Sequence, residues 1–288
     1  MTINTIHLRD KKNLLAFSAG VDSSALFFLL LKHDIPFDIA IVNYNMREQS
    51  KDEVLYAKKL ALEYNKKCFI KEVELPTSNF EKNARDVRYN FFEALIVEHK
   101  YENLITAHQL NDKLEWFLMQ FTKGAGIVEL DGLSELTPMN NYQLIRPLLD
   151  YSKDELIRFL KHESITYFVD ESNYDEKYKR NYFRNNFSNK LLNDFESGIK
   201  KSFKYLKKDI QSLNITNNAV LKIEELEIYK NFQDHNKNIR VIDKSLKKRG
   251  YIISAAQREE IIRQEEIIID KFAISILGDY IWISPNCK

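Results

Sequence analysis

Apolar positions fall in short runs along the first half of the chain, and each run is followed by a longer amphipathic stretch. Asn13–Phe17, Phe37–Val42, Cys68–Val73 and Leu104–Ala107 read as buried strands. Ser23–Leu31, Lys51–Tyr64, Asn83–His99 and Asn111–Thr122 read as the helices behind them. Four alternations of strand and helix predict an α/β fold, a Rossmann-like parallel sheet flanked by helices. Such sheets bind ligands at the carboxyl ends of their strands, where the strand order reverses. Chemistry is therefore expected in the loops after Phe17, Val42 and Ala107. Lys123–Asn141, with Gly124, Gly126, Gly132 and Pro138, is long enough for a functional loop or lid. Pro147 leads to a helix over Lys153–Glu163.

Past Asn189 the pattern changes. Helical segments are expected at Asp194–Leu213 and Asn236–Gln264, then a hairpin from Ile267 to Ile283 around Gly278-Asp279. The organisation expected is a catalytic domain over residues 1–189, then a smaller, mostly helical domain over 190–288 that ends in a β-hairpin.

The chain has 288 residues, with 44% hydrophobic and 30% charged positions. That composition is ordinary for a globular protein. Its amino end lacks the apolar core of a signal peptide, and no apolar run is long enough to span a bilayer. A cytoplasmic protein with no membrane partner is expected. The two cysteines, Cys68 in an apolar stretch and Cys287 at the tail, are too few for a cysteine-held zinc or iron–sulfur site. The net charge of +1 gives no sign of nucleic acid. The stretch Lys177–Lys208 does: it interleaves Arg180, Arg184, Lys200 and other bases with Tyr182, Phe183, Phe187, Phe203 and Tyr205. Such residues can neutralise phosphates and stack on bases, or can simply form a solvated helix face with an aromatic stripe beneath.

Two segments carry candidate chemistry. Ser18-Ala19-Gly20-Val21-Asp22-Ser23 joins a buried strand to a helix through small residues, so a phosphate can approach unpaired N–H groups at a positive dipole end. Ser18 and Ser23 add hydroxyls, and Asp22 could hold a magnesium ion. A capped helix start would look similar, with Asp22 or Ser23 as the cap. Neither the Walker loop nor the dinucleotide fingerprint occurs. In the second segment, Thr106-Ala107-His108-Gln109-Leu110-Asn111-Asp112-Lys113-Leu114-Glu115, Asn111 is the expected cap. Asp112 and Glu115 then share one helix face.

The first segment resembles the S-G-G-x-D-S loop of the ATP pyrophosphatase (PP-loop) superfamily, with Ala19 in place of the first glycine. That substitution implies a position that needs no positive φ. The chain as a whole resembles the tRNA(Ile)-lysidine synthetase family. The resemblance extends through Val42-Asn43-Tyr44-Asn45-Met46-Arg47, Asn83-Ala84-Arg85-Asp86-Val87-Arg88-Tyr89, and Thr106-Ala107-His108 with Asp112 and Glu115. It continues in Gly124-Ala125-Gly126, Arg146-Pro147-Leu148-Leu149, Asp170-Glu171-Ser172-Asn173, and Arg180-Asn181 with Arg184. Gln109, Asn111 and Lys123 depart from the family's usual His, Asp and Arg.

The resemblance implies an ATP- and magnesium-dependent carbon–nitrogen ligase for tRNA(Ile) with a CAU anticodon and L-lysine. Ser18 through Ser23 would hold ATP. Asp22, His108, Asp112 and Glu115 would be catalytic, with Asp22, Asp112 and Glu115 as magnesium candidates. Arg85, Arg88, Arg180 and Arg184 would contact tRNA or AMP. The carboxyl domain would recognise tRNA, and a homodimer is compatible with the sequence. A tRNA-thiolating enzyme of the same superfamily and a non-catalytic nucleotide sensor are the competing expectations.

Overall fold

A computed structural model describes residues 1–45, 49–76, 78–169, 179–212 and 218–286. The chain divides into two compact units, Met1–Leu206 and Lys207–Lys288.

In the first unit the expected alternation is present. The elements are β1 (Asn13–Ala16), α1 (Val21–Lys32), β2 (Phe37–Asn43), α2 (Gln49–Glu63), β3 (Cys68–Glu72), α3 (Phe80–His99), β4 (Asn103–Ile105) and α4 (Leu110–Phe121). They are followed by α5 (Ile127–Leu130), β5 (Leu136–Pro138), β6 (Gln143–Ile145) and α6 (Lys153–His162). The sheet order is β3-β2-β1-β4-β6-β5, with every pairing parallel except β5 with β6. Strands β5 and β6 were not foreseen; β5 turns part of the expected loop at 123–141 into a sheet edge, and β6 follows that loop.

Successive side chains enter opposite faces, as a pleated strand requires. Leu15, Ile39, Ile105 and Ile145 pack with α1, α2 and α6 around Phe27, Leu60 and Leu160. Leu14, Ala40, Leu104 and Leu144 pack with Phe92, Leu95 and Ile96 of α3. Chain order reverses between β1 and β4, so the loops after these strands face each other at the binding edge.

The basic segment forms α7 (Lys179–Phe183), a π-helical turn at Arg184–Ser188, and α8 (Asn189–Ser212). Leu192 and Phe203 of α8 bury against Leu110 and Leu114 of α4.

The second unit holds β7 (Leu221–Ile223), β8 (Leu226–Lys230), α9 (His235–Lys248), α10 (Ala255–Gln264), β9 (Glu266–Ile269), β10 (Phe272–Leu277) and β11 (Tyr280–Pro285). The expected hairpin is β10 with β11, turning at Gly278-Asp279, and it sits in a five-stranded antiparallel sheet ordered β7-β8-β11-β10-β9. The single helix expected over Asn236–Gln264 is two helices. Gly250 takes φ +80° after α9, and Ser254 starts α10 with a reciprocal capping box to Gln257. Among the described residues, no helix is long and apolar enough to cross a membrane.

Candidate functional site

The first candidate loop leaves β1 and enters α1 at Gly20, which caps the helix with no side-chain hydrogen bond. Neither Asp22 nor Ser23 is the cap, so the N–H groups of the first turn are not consumed by a side-chain oxygen. Ser23 Oγ instead ties the loop together: it accepts from the Ser18 N–H at 3.2 Å, lies 3.1 Å from Ser18 Oγ, and donates to Gly20 O at 3.3 Å.

The expectation for Ala19 is corrected. Its φ is +58°, in the left-handed region that penalises a Cβ by roughly 1–2 kcal/mol. Surrounding structure holds it there. Ala19 O accepts from the Phe168 N–H at 3.0 Å, Gly20 bridges to Phe168, and the Ala19 methyl is fully buried in the core. Gly20 has an ordinary φ of −75°, and a methyl placed on it would meet only Ser18 Oγ at 3.5 Å and Phe168 O at 4.0 Å.

Asp22 is the unusual group of this loop. Its Oδ1 is buried with no hydrogen-bond partner. Burial, and then the charge of Asp112, push its carboxyl up to about 7; Lys153 and Arg184 oppose the shift, and Glu115 adds to it. The acid is thus poised between its two protonation states near neutrality.

The second segment enters α4 through Gln109, which replaces the expected Asn111 as cap. Gln109 Oε1 accepts from the Asn111 N–H at 2.5 Å, while Asp112 Oδ2 accepts from the Gln109 N–H at 2.9 Å. This reciprocal box requires the side chain three residues before Asp112, a position that Asn111 cannot occupy. Asn111 instead donates to Asn189 Oδ1 at 2.9 Å and accepts from the Lys153 N–H at 3.1 Å, tying α4 to α8 and α6.

Asp112 and Glu115 share a buried face, and both meet arginines from the basic segment. Arg180 reaches Asp112 Oδ1 at 2.5 Å and Glu115 Oε2 at 2.8 Å. Arg184 lies 2.6 Å from Glu115 Oε1 and 3.6 Å from Asp112 Oδ1. Burial alone would raise the Asp112 carboxyl, but Arg180, His108 and Arg184 outweigh it and hold it below the usual carboxylate range. Arg180 is held above its ordinary value, first by Asp112. These four charges were expected as separate contacts to magnesium, lysine, AMP or RNA; the structure gathers them into one ionic cluster.

His108 stands beside them, with Nδ1 2.9 Å from Thr106 Oγ1. Burial pushes it down to about 4, against the pull of Asp112 and helped by Arg146, Arg180 and Arg85, so the ring is neutral at pH 7. Arg85 and Arg88 are exposed on α3, with the Arg85 guanidinium 4.7 Å above the Tyr89 ring.

Of the basic–aromatic stretch, Tyr182, Phe187 and Tyr205 are exposed, whereas Phe183 and Phe203 are buried and Lys200 bridges Glu155 and Glu196. It is neither a bare solvated face nor wholly free for RNA. Asp170 to Asn173, Met46, Arg47, Lys177, Tyr178, Leu213 and Cys287 lie outside the described residues. Cys68 is a half-buried thiol at the first position of β3.

Three groups escaped the sequence. Lys113 is buried, 3.0 Å from Asp131 and 4.6 Å over the Phe203 ring, so it joins the 123–141 segment to α4 and α8. Trp116 Nε1 donates to Glu129 O at 3.1 Å, and its indole fills the space beside Gly132. Arg146 directly follows β6 at the binding edge. A charged residue between two acids reads as surface, which hid Lys113; the Q-x-x-D spacing of the Gln109 cap could have been found.

Among the described residues no three His, Cys, Asp or Glu side chains converge as a metal cage. Magnesium does not need one, since it is commonly held by one or two carboxylates together with substrate phosphates. The open Oδ1 of Asp22 fits that role. The oxygens of Glu115 and Oδ1 of Asp112 are taken by guanidinium groups, and Asp112 Oδ2 by the Gln109 N–H.

Known proteins resemble this chain over most of its length. Residues 2–191 match the family model described as a PP-loop domain. The tRNA(Ile)-lysidine synthase of Helicobacter hepaticus is 46% identical over 287 residues, covering 88% of this chain and 68% of that protein. The same enzyme of Campylobacter jejuni strain RM1221 is 47% identical over 268 residues, covering 93% and 81%. Among solved structures, the U34-tRNA thiolase NcsA of Methanococcus maripaludis, with its [4Fe-4S] cluster, is similar with a TM-score of 0.57 at 18% identity. The match covers 72% of this chain and 74% of that one. At that identity the likeness shows the fold alone.

Proposed function

The chain belongs to the tRNA(Ile)-lysidine synthase family, PP-loop ligases that use ATP, and we propose that it joins free L-lysine to C2 of the wobble cytidine in the CAU anticodon of tRNA(Ile). The product, lysidine, would read AUA where the unmodified anticodon reads AUG.

The reaction proceeds in two displacements. The O2 atom of the cytosine attacks the α-phosphorus of ATP, forming an adenylated base and releasing pyrophosphate. The neutral ε-amine of lysine then attacks C2, the C2–O bond breaks, and AMP leaves. The observation that carries this reading is that Asp22, in the first turn of the helix after β1, and His108, in the loop after the adjacent strand β4, both feel the charge of Asp112. On this reading the phosphate and base ends of one reaction would share a single sheet edge.

The residues divide the work. The uncapped start of α1 and the Ser18 and Ser23 hydroxyls receive the departing pyrophosphate, whose growing charge is where fixed donors act most strongly. Asp22 would hold magnesium, which when bound supplies positive charge against the phosphates. Neutral His108 has Nδ1 engaged by Thr106 and its other nitrogen open to the base or to the amine proton. Arg180 and Arg184 fix Asp112 and Glu115 while keeping guanidinium charge at the edge for AMP or RNA phosphate. Arg85 and Arg88, exposed on α3, suit the anticodon backbone. The cytidine must leave its stack to reach the edge, at small cost in a single-stranded loop. The work belongs in the cytoplasm, with the carboxyl unit selecting the tRNA.

Sulfur insertion would require a second reactive cysteine near the edge. The chain has two cysteines, and burial pushes the Cys68 thiol up, away from nucleophilic character.

The test is to mix the protein with ATP, magnesium, labelled lysine and a tRNA(Ile) transcript bearing CAU. ATP-dependent label retained in the tRNA is expected. Pyrophosphate release without label would sink the lysine assignment and leave adenylation standing; no ATP turnover would favour a nucleotide sensor.

A further inference from the structure

Arg146 has no role in the chemistry above, yet it occupies the binding edge. It directly follows β6, and the Thr106 N–H donates to Ile145 O at 2.9 Å, so Arg146 lies alongside Thr106-Ala107-His108. Only 8% of the residue is exposed. Its Nη1 donates to Ser134 O at 2.8 Å and to Thr137 Oγ1 at 2.9 Å. Its Nε is buried and donates to nothing. Among the described residues no carboxylate pairs with it, in contrast to Arg180 and Arg184. The charges near enough to act on it include a second cation, Arg85, which adds to burial in lowering it; Tyr89 and Tyr142 act the other way. A buried cation with an idle donor and no counterion is costly unless a ligand completes it.

The missing partner is an anion, and position narrows it. Strand β6 is two places from β1 in the sheet, roughly 10 Å from the phosphate-loop strand, so the pyrophosphate of ATP belongs elsewhere. The idle Nε edge presents the side-on fork that grips a planar carboxylate. A phosphodiester within an RNA backbone is bulky and stays near the surface, where Arg88 stands. A free amino acid can reach a buried floor.

Resting on the lysine-ligase reading above, we propose that Arg146, with Arg85 at its lip, is the subsite that binds the α-carboxylate of substrate lysine. No bond is made or broken there. The subsite selects which amine reacts: anchoring the carboxylate away from the adenylated C2 presents the ε-nitrogen and withdraws the α-nitrogen. Arg146 is then a specificity residue. Its contacts to Ser134 and Thr137 make the 123–141 segment one wall of the lysine pocket.

The experiment compares lysine with cadaverine, which keeps the reacting amine and lacks the carboxylate. Both are offered with ATP, magnesium and the CAU transcript to the natural protein, Arg146→Gln and Arg146→Lys. The natural protein should prefer lysine by about 30-fold or more in kcat/KM, the worth of a charge-assisted pair. In R146Q that preference should fall towards one, through the KM for lysine, with R146K in between. Equal use of lysine and cadaverine by the natural protein would overturn the subsite while leaving the ligase reading intact. Equal loss of both substrates in R146Q would reduce Arg146 to a support of the fold. A raised KM for tRNA with an unchanged lysine preference would assign the anion to RNA phosphate. If the natural protein incorporates no lysine at all, the ligase reading falls and the subsite with it.

Discussion

Glu227 of β8 and Asp22 of α1 are both acids held away from water, one in each compact unit. Glu227 accepts from Ser245 Oγ at 2.6 Å and Tyr229 OH at 2.7 Å, with Lys222 and Arg249 3.2 and 3.4 Å away. Burial works against its charge, but these partners win and hold it at about 2. Asp22 has no such partners for Oδ1, and burial with Asp112 lifts it to about 7. Around Glu227 in the second unit the chain spends polar groups on one another beside a packed sheet. At the edge of the first it leaves an acid, a cation and the start of a helix unfinished. Stability and function are thus written in opposite treatments of the same chemical group.

That contrast can be broken most forcefully at Asp22. Asp22→Asn should lower lysine incorporation by about 10³-fold, as loss of a group that stabilises transition-state charge does. The same variant should melt higher than the natural protein at pH 8. Asp22 keeps its proton in the folded state up to about 7, whereas the unfolded chain releases it near 4, so its ionisation costs stability progressively between those values. A lower melting temperature at pH 8 would show that the carboxylate supports the fold. In line with this, kcat/KM for ATP should rise as pH passes through about 7; a flat profile from 5 to 8 would count against Asp22 as the cation's ligand.

Glu115 tests whether the four-charge cluster resembles the finished or the unfinished kind. Glu115→Ala removes the nearest carboxylate of Arg184 and one of the two carboxylates of Arg180, and should cost about 3 kcal/mol in denaturant unfolding besides activity. Glu227→Gln should cost less, about 2 kcal/mol, and should leave pyrophosphate release per folded molecule intact. The stability from Glu227 is present above its unfolded value near 4.5 and is lost as pH falls towards 2, so the variant and the natural protein should converge in acid. Smallest is Ala19→Gly: relief of the left-handed backbone is largely offset by the extra freedom of glycine in the unfolded chain, leaving a change within about 1 kcal/mol.

The strand–helix alternation of the first unit was legible because each of its four strands is a short run that is mostly apolar and each helix shows its own period. Strands β5 and β6 were hidden for the converse reason. Each is three residues long, β5 lies in a stretch whose glycines and Pro138 look like loop, and only the pairing of β6 with β4 and of β5 with β6 makes them strands. The break between α9 and α10 lies in Lys247-Lys248-Arg249-Gly250, where helical periodicity alone gives no stop until Gly250 is recognised as a terminator.

Within the site, residue types and the two loops could be read, but partners could not. Arg180 and Asp112 are 68 positions apart, and only the docking of α7 on α4 brings them together. Ala19 misled because a local rule, that alanine avoids positive φ, yields to a loop fixed on both sides by Phe168 and the core. Arg146 was visible as part of a motif; its burial without a counterion was not.

The most direct measurement is tRNA-dependent exchange of labelled pyrophosphate into ATP by Asp22→Asn and Glu227→Gln, side by side at pH 8 with magnesium and the CAU transcript. The account predicts that D22N, although folded and more stable, exchanges at background, while E227Q, although less stable, exchanges near the natural rate. Exchange by D22N at the natural rate would contradict it.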